Sequence, residues 1–208
     1  MNNKLKYNPN IHHRRSIRLN GYDYAQEGLY FITICCQDRI CRFGNVVNGE
    51  IILNEYGQIA FDEWVKLSDR FSNIELDVFQ IMPNHMHGII ILNDASAGAG
   101  FTPAPKKGQP QGIGFTPAPK KGQPQGIAST TVSDIVGAYK SLVVNGCLDI
   151  YKSKNATMGK LWQRNYYENI IRNEQSHKRV SEYIINNPVK WAEDKFYKNI
   201  NSRKIFHR

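Results

Sequence analysis

The sequence predicts an α+β fold, and two observations support that prediction. Short runs of β-branched and aromatic residues are interspersed with longer segments whose apolar residues recur at helical spacing. The chain has 208 residues, of which 41% are apolar. This is enough to bury the core of one domain, and it excludes a wholly disordered chain.

The first elements form a strand, a hairpin and a helix. Residues 28–36 are β-branched and aromatic, which predicts a buried strand. Residues 43–54 hold two strand-like runs around Asn48-Gly49, which is a hairpin signal. In residues 59–71 the apolar side chains lie near helical spacing and predict a helix.

The next elements complete a recognisable order. Residues 76–82 and 85–92 predict two strands joined tightly at Pro83-Asn84. Residues 131–151 then predict a helix capped by Thr131 or Ser133, and residues 161–171 a strand. With the added hairpin set aside, the order is the ferredoxin-like β-α-β-β-α-β. A last helix, capped by Asn173 and running to about residue 187, is an addition that ends before Pro188.

An exact repeat interrupts this pattern. Residues 100–113 read GFTPAPKKGQPQGI, and residues 114–127 repeat them letter for letter. Such a Pro, Gly, Gln and Lys-rich composition predicts an extended, disordered insertion over residues 94–129. It is either a duplication in a tolerant loop or a nucleic-acid contact through its lysines, which are Lys106, Lys107, Lys120 and Lys121.

The chain is basic, with 27 Lys and Arg against 18 Asp and Glu and a net charge of +9. This favours a polyanionic partner, above all nucleic acid. Residues 1–18, the repeat and residues 198–208 carry 13 of the basic residues and no acid, which leaves 14 basic and 18 acidic residues elsewhere. We therefore expect a basic arm (1–27), one domain (28–197) and a basic tail (198–208).

Other features argue against a membrane or secreted protein. The apolar runs are far shorter than the roughly 20 residues of a membrane span, and the N-terminus leads into no apolar leader segment. The four cysteines form no CxxC pattern, so they are expected to be core residues in a reducing cytosol. The expected location is cytoplasmic and, for a protein that binds nucleic acid, nucleoid-associated.

Two sets of residues could carry chemistry. His85 and His87 are two apart on a predicted strand, so their imidazoles share a face and could grip one divalent ion; the alternative is two surface histidines beside a turn. Tyr183 and Asn187 lie on one face of the last helix. Tyr183 could be a plain core tyrosine, whereas the Asn187 carbonyl is a plausible ligand for a hard cation.

With these residues identified, three ordered motifs resemble the single-tyrosine HUH transposases, and within them the REP-associated tyrosine transposases of bacteria. The motifs are MPNHMHG (82–88), LWQRNYYENIIR (161–172) and EYIINNPVK (182–190), and RRSIR (14–18) with GYDY (21–24) is similar too. The resemblance covers nearly the whole chain except the repeat.

The resemblance implies a mechanism. His85 and His87 match the pair that binds Mg²⁺ or Mn²⁺, Tyr183 matches the nucleophile, and Asn187 matches a further metal ligand. Such enzymes cut single-stranded DNA near hairpins through a 5′-phosphotyrosine link, which a second 3′-OH can reverse without ATP. They act as homodimers or as monomers.

Several alternatives stay open. Tyr166 and Tyr167 are rival nucleophiles, ranked below Tyr183, and Asn169 stands where family members often have His. A non-catalytic, domesticated nucleic-acid-binding protein is the second hypothesis, and a replication-initiator nuclease the third. Tyr22 and Trp191 could stack on unpaired bases. The expected phosphate-binding residues are Arg14, Arg15, Arg18, Arg172 and Lys190.

Overall fold

A computed structural model of the protein describes residues 23–93 and 130–197. The predicted arm contacts (Arg14, Arg15, Arg18 and Tyr22), the repeat insertion and the basic tail lie outside these ranges. The strands are β1 Gly28–Cys35, β2 Gly44–Val47, β3 Glu50–Leu53, β4 Ile74–Met82, β5 His85–Leu92 and β6 Tyr167–Ile171. The α-helices are α1 Glu55–Val65, α2 Leu67–Arg70, α3 Val132–Ser153 and α4 Glu174–Ile185.

Four strands form one antiparallel sheet in the order β4-β5-β1-β6. This order, with α1 between β1 and β4 and α3 between β5 and β6, confirms the ferredoxin-like prediction. β2 and β3 form the separate predicted hairpin. Its turn residues Asn48 and Gly49 have φ angles of 51° and 80°, which match the left-handed turn that the Asn-Gly pair favours.

The helix predicted over residues 59–71 begins earlier and ends earlier in the structure. It begins at Glu55 because the Asn54 side chain caps it, with Oδ1 accepting from the backbone N–H groups of Tyr56 and Gly57 at 3.0 and 2.9 Å. It ends at Val65, and the short α2 covers the rest of the predicted range.

The prediction of a continuous strand over residues 161–171 was also wrong. β6 covers only its last five residues, and Trp162 makes an isolated bridge with Cys36. Between them, the carbonyls of Gln163 and Arg164 accept hydrogen bonds from Lys140 Nζ at 2.8 and 3.0 Å. These carbonyls are thus bonded to a side chain of α3 and not to a neighbouring strand.

The main core lies between one face of the sheet and helices α1 and α3. Tyr30, Ile32 and Met86 from the strands pack there with Trp64 and Tyr139, and each is fully buried. All four cysteines are free thiols. Cys35, Cys36 and Cys147 are buried, as expected of core residues, whereas Cys41 is partly buried.

The other face of the sheet carries α4 and a smaller apolar cluster. Ile184 of α4 packs there against Ile89 and Ile171. Because β5 alternates its side chains, His85 and His87 point to this same face while Met86 points to the main core. None of the helices in the described ranges is long and apolar enough to cross a membrane.

Candidate active site

The site is centred on two buried imidazoles. His85 and His87 are both 0% exposed, and their Nε2 atoms lie 3.0 Å apart. The prediction that the two side chains share a face is therefore confirmed, whereas the alternative of two surface histidines is wrong. The burial and the short distance between the two nitrogens could not be read from the two-residue spacing in the sequence.

A neighbouring amide fixes the proton on His85. Asn84 Nδ2 donates to the carbonyls of Arg39 and Phe196 at 3.2 and 2.9 Å. Asn84 Oδ1 must therefore accept, and it lies 2.8 Å from His85 Nδ1. His85 consequently carries its proton on Nδ1 and directs the lone pair of Nε2 into the site. Burial, with Lys195 and Arg39 nearby, lowers the pKa of His85 to about 3, so the ring is neutral.

A hydroxyl group holds His87. Thr33 Oγ1 on β1 lies 2.8 Å from His87 Nδ1. Because a hydroxyl can donate or accept, this contact supports either tautomer of His87, including the one that leaves Nε2 free. Burial, and then the neighbouring His85, holds the pKa of His87 well below its ordinary value. Neutral imidazoles are the form in which histidine binds metals.

Helix α4 brings Tyr183 to this pair. Its hydroxyl lies 3.2 Å from His87 Nε2 and 3.1 Å from Asp194 Oδ2. The ring packs edge-on against Phe31, with centroids 6.2 Å apart, and Tyr183 is 38% exposed. Burial and then the Asp194 carboxylate raise the pKa of Tyr183, while a hydrogen bond with Asn187 lowers it. The tyrosine therefore stays protonated at neutral pH until another charge stabilises its anion.

Asp194 is a site residue that the sequence did not reveal. It follows a short 3-10 turn, Trp191–Glu193, and its Oδ1 accepts from the Phe196 N–H at 2.6 Å. Its Oδ2 accepts from Asn187 Nδ2 at 2.7 Å. The other amide atom, Asn187 Oδ1, is buried without a hydrogen-bond partner. An unpaired buried acceptor is costly, and a cation would satisfy it.

These side chains fit a divalent ion. One ligand atom each from His85, His87 and Asp194 lie within 4.8 Å of one another. Two ligands at right angles around an ion, each about 2.1 Å from it, would be about 3.0 Å apart, which equals the observed Nε2–Nε2 distance. Asn187 lies beside this group, because its Nδ2 is bonded to Asp194. Imidazoles combined with oxygen donors suit Mn²⁺ and related divalent ions.

Of the two rival tyrosines, one points away from the histidines and the other lies on the site face of the sheet. Tyr166 points away, because its hydroxyl lies 3.3 Å from Ser133 Oγ at the start of α3. Tyr167 and Asn169 are on the site face of β6, opposite Thr33 and Phe31. Tyr167 packs against Phe196, with ring centroids 6.1 Å apart, and Tyr183 is the tyrosine hydrogen-bonded to His87.

An open cleft of about 510 Å³ adjoins Tyr183 between α4 and the segment that follows it. Lys190, predicted to bind phosphate, lines this cleft, whereas Arg172 is exposed after β6 and is not part of the lining. The Trp191 ring lies 5.9 Å from His85 and forms part of the site wall. The cations that line the cleft are Arg179, Lys190 and Lys195.

Sequence comparison gives one clear relative. No protein-family model matches the chain. A protein of Haemophilus influenzae (strain Rd), described only as uncharacterized, is 41% identical over 199 residues, which are 92% of this chain and 97% of that protein. The chain belongs to the family of this protein. The match extends over nearly the whole length, so it includes both the β5 and α4 parts of the site.

Comparison with solved structures bears on the fold. The structure of a REP-associated tyrosine transposase bound to a REP hairpin superposes with a TM-score of 0.51 and 18% identity, covering 86% of this chain and 76% of that one. The chain has the fold of this transposase. The resemblance carried by the sequence motifs is thus confirmed at the level of the fold. A candidate transposase from Deinococcus radiodurans aligns with a TM-score of 0.39 and 17% identity over 81% of this chain and 95% of that one.

Three residues of the site were missed by sequence reasoning. Thr33 is the one polar side chain in a strand that is otherwise apolar from Leu29 to Cys36, and that exception was a usable signal. Asn84 lies inside the His motif itself and could have been noticed as an orienting group. Asp194 had no comparable signal, because nothing local shows that the chain returns to the histidines after Pro188.

Proposed function

We propose that the protein is a divalent-metal-dependent nuclease and strand transferase that cuts single-stranded DNA beside hairpins through Tyr183. The observation that carries this proposal is the contact of Tyr183 Oη with His87 Nε2 at 3.2 Å, beside a second imidazole nitrogen 3.0 Å further on. A nucleophile and a set of metal ligands are thus within reach of one phosphate group.

In the proposed reaction, Tyr183 Oη attacks the phosphorus of a phosphodiester. A bond forms between Oη and phosphorus while the bond to the 3′ oxygen breaks, leaving a 5′-phosphotyrosine and a 3′ oxygen that takes a proton from water to become a free 3′-OH. The tyrosine must lose its proton, and Asp194 Oδ2 is a carboxylate acceptor at 3.1 Å. Attack by another 3′-OH on the phosphotyrosine reverses the step without any external energy source.

The chain's own residues would hold the ion for this reaction. His85 and His87 offer Nε2, Asp194 a carboxylate oxygen, and Asn187 its unpaired Oδ1. When bound, Mg²⁺ or Mn²⁺ supplies a Lewis acid for the phosphate oxygens. Asn84 and Thr33 hold the two rings so that both nitrogens are presented together.

The proposed substrate follows from charge and from the structural relative. The transposase of the same fold is bound to a REP hairpin. Here, Arg179, Lys190 and Lys195 line the cleft at Tyr183 and could contact the phosphates of a single strand. The basic arm with Arg14, Arg15 and Arg18, together with Arg172, would add contacts to the hairpin backbone.

The test is a covalent adduct assay. Protein, Mn²⁺ and a labelled hairpin oligonucleotide with single-stranded flanks should give a product that survives denaturing electrophoresis. Tyr183→Phe should bind the oligonucleotide and form no adduct. Salt-sensitive binding by the wild-type protein without any adduct would instead favour the non-catalytic binding protein.

A further inference from the structure

Helix α4, which carries Tyr183, is held on the sheet by few contacts. Of its side chains only Ile184 is fully buried, while Val180 is partly buried in the same small cluster. By contrast, α3 places six buried residues against the main core. A lightly packed helix needs additional contacts if a side chain on it is to stay within a few tenths of an ångström of its target.

A β-bulge in β4 faces this helix. Leu76 pairs with Ile90 but Phe79 pairs with Gly88, so β4 contains one residue more than β5 over this stretch. Leu76 and Phe79 both pack on the main core. The two residues between them are Asp77 and Val78, and Val78 joins the small cluster under α4. The extra residue therefore lets β4 direct a polar and an apolar side chain at α4 from adjacent positions.

Asp77 uses this position to hold the start of α4. Its Oδ2 lies 2.5 Å from His177 Nε2, and the two side chains are 28% and 27% exposed. Among the described residues, this contact and the Tyr183–His87 contact are the side-chain hydrogen bonds that join α4 to the four-stranded sheet. A partly buried hydrogen bond of this kind contributes more to stability than a fully exposed ion pair.

We propose that Asp77 and His177 are a positioning pair that sets the placement of Tyr183 against His87. This inference rests on the proposed function for its activity readout. His177 precedes Tyr183 by six residues, so the two anchors are about 9 Å apart along the helix axis. With one end released, α4 can rotate about its small apolar cluster, and the hydroxyl of Tyr183 moves away from the phosphate it must attack.

The test uses a double-mutant cycle with a swapped pair. His177→Ala and Asp77→Ala should each lower the single-turnover rate of adduct formation about tenfold, because small misplacements of reacting groups are costly. The affinity for the hairpin oligonucleotide should stay within about twofold, since neither residue lines the cleft. The double alanine variant should lose no more than either single variant. The swap Asp77→His/His177→Asp should restore most of the rate.

Hydrogen exchange of the metal-free protein gives a second readout, which needs no activity. The α4 amides should exchange faster in both single variants and recover in the swap, while α3 amides remain protected and show that the fold is intact. The matched control is the exposed Lys152–Asp149 pair of α3, whose side chains are 73% and 78% exposed. Replacing both with alanine should change neither the adduct rate nor the exchange of α4.

The outcomes separate this inference from the proposed function. Additive losses in the double variant, no rescue by the swap, or unchanged α4 exchange in the single variants would overturn the positioning pair. If the wild-type protein forms no adduct, the proposed reaction fails, and the exchange of α4 in the single and swapped variants still decides whether the pair positions the helix.

Discussion

Thr33 carries a hydroxyl on β1 that contacts one of the two site histidines of β5. Its Oγ1 is 2.8 Å from His87 Nδ1, and the side chain is 3% exposed. We expect Thr33→Val, which keeps the shape and removes the hydrogen bond, to weaken Mn²⁺ binding by about 10-fold or more, as is usual for groups that orient metal ligands. Calorimetric titration with Mn²⁺ measures this, with Thr33→Ser as the control that retains the bond. Equal affinity in wild type and the valine variant would refute the orienting role.

Asp194 contributes to the high pKa of Tyr183 in the metal-free protein. Burial raises the pKa of Tyr183 most, and the Asp194 carboxylate raises it further by its charge and by accepting a hydrogen bond from the hydroxyl. Asp194→Asn should therefore lower the pKa of Tyr183, so that phenolate appears at lower pH than in wild type. Ultraviolet titration of the phenolate, taken as the difference from the same protein carrying Tyr183→Phe, gives this value.

Glu193→Gln is the control, because Glu193 lines the cleft without bonding to the hydroxyl. An unchanged or higher pKa in Asp194→Asn would contradict this account.

At the scale of residues, the sequence predicted the positions of side chains that depend only on their spacing within one strand or helix. The shared face of His85 and His87 follows from strand periodicity, and the placement of Tyr183 from helix periodicity. Asn187 was predicted on the same helix, but α4 ends at Ile185 and Asn187 lies in the turn that follows. The sequence did not predict Asp194, which reaches the histidines by a return of the chain after α4, or the Asp77–His177 contact, whose partners are 100 residues apart. Such contacts depend on tertiary packing, which local patterns do not contain.

At the scale of elements, helix α1 packs closely against β5 because residue 88 of β5 is a glycine. A Cβ atom at Gly88 would lie 2.4 Å from the Trp64 ring. Gly88→Ala should therefore push α1 from the sheet or distort β5 and lower the free energy of unfolding by about 1–3 kcal/mol. Urea denaturation measures this change.

A second glycine supplies the matched control. Gly137 in α3 is exposed, and a Cβ there would meet nothing within 4 Å. Gly137→Ala should leave the free energy of unfolding unchanged or raise it by up to about 1 kcal/mol, because alanine favours the helix. If both variants lost the same stability, close packing at Gly88 would not be the cause.

The elements were predictable where one periodicity was sustained. β5 and α3 appear almost as expected, because each keeps a single pattern over its length. β6 is shorter than predicted because Trp162 packs into the main core and Lys140 binds the intervening carbonyls. The start of α1 was missed although Asn54 is a strong N-cap residue, so in that case the signal was present in the sequence.

For the whole molecule, the two buried histidines predict a loss of stability in acid. Both are neutral in the fold because burial lowers their pKa values, that of His85 to about 3 against 6.5 when free. Below pH 6.5 the unfolded chain binds protons that the folded chain does not, so the free energy of unfolding decreases from pH 6.5 toward pH 3.

Urea denaturation of metal-free protein across this pH range tests the prediction. The urea midpoint of the wild-type protein should fall with pH, and the dependence should be shallower in His85→Gln/His87→Gln, which cannot take up these protons. Parallel curves for the two proteins would show that the histidines do not account for the acid sensitivity.

The distribution of charge along the chain fits the proposal that the basic arm binds the hairpin and the folded domain cuts the DNA. Outside residues 1–18, the repeat and the tail, acidic residues exceed basic ones by four. A domain with that balance has little general attraction for DNA, so the effect of Arg179, Lys190 and Lys195 depends on their position at the cleft beside Tyr183. Capture of the hairpin is then the task that we propose for the basic arm.

The most direct test of the central claim is to identify the tyrosine that becomes linked to DNA. Trypsin separates the rivals, because residues 180–190 contain Tyr183 alone and residues 165–172 contain Tyr166 and Tyr167. After incubation with Mn²⁺ and a hairpin oligonucleotide, followed by nuclease and trypsin digestion, mass spectrometry should find the nucleotide phosphate on the 180–190 peptide. Modification of the 165–172 peptide instead, or of neither peptide, would contradict the account.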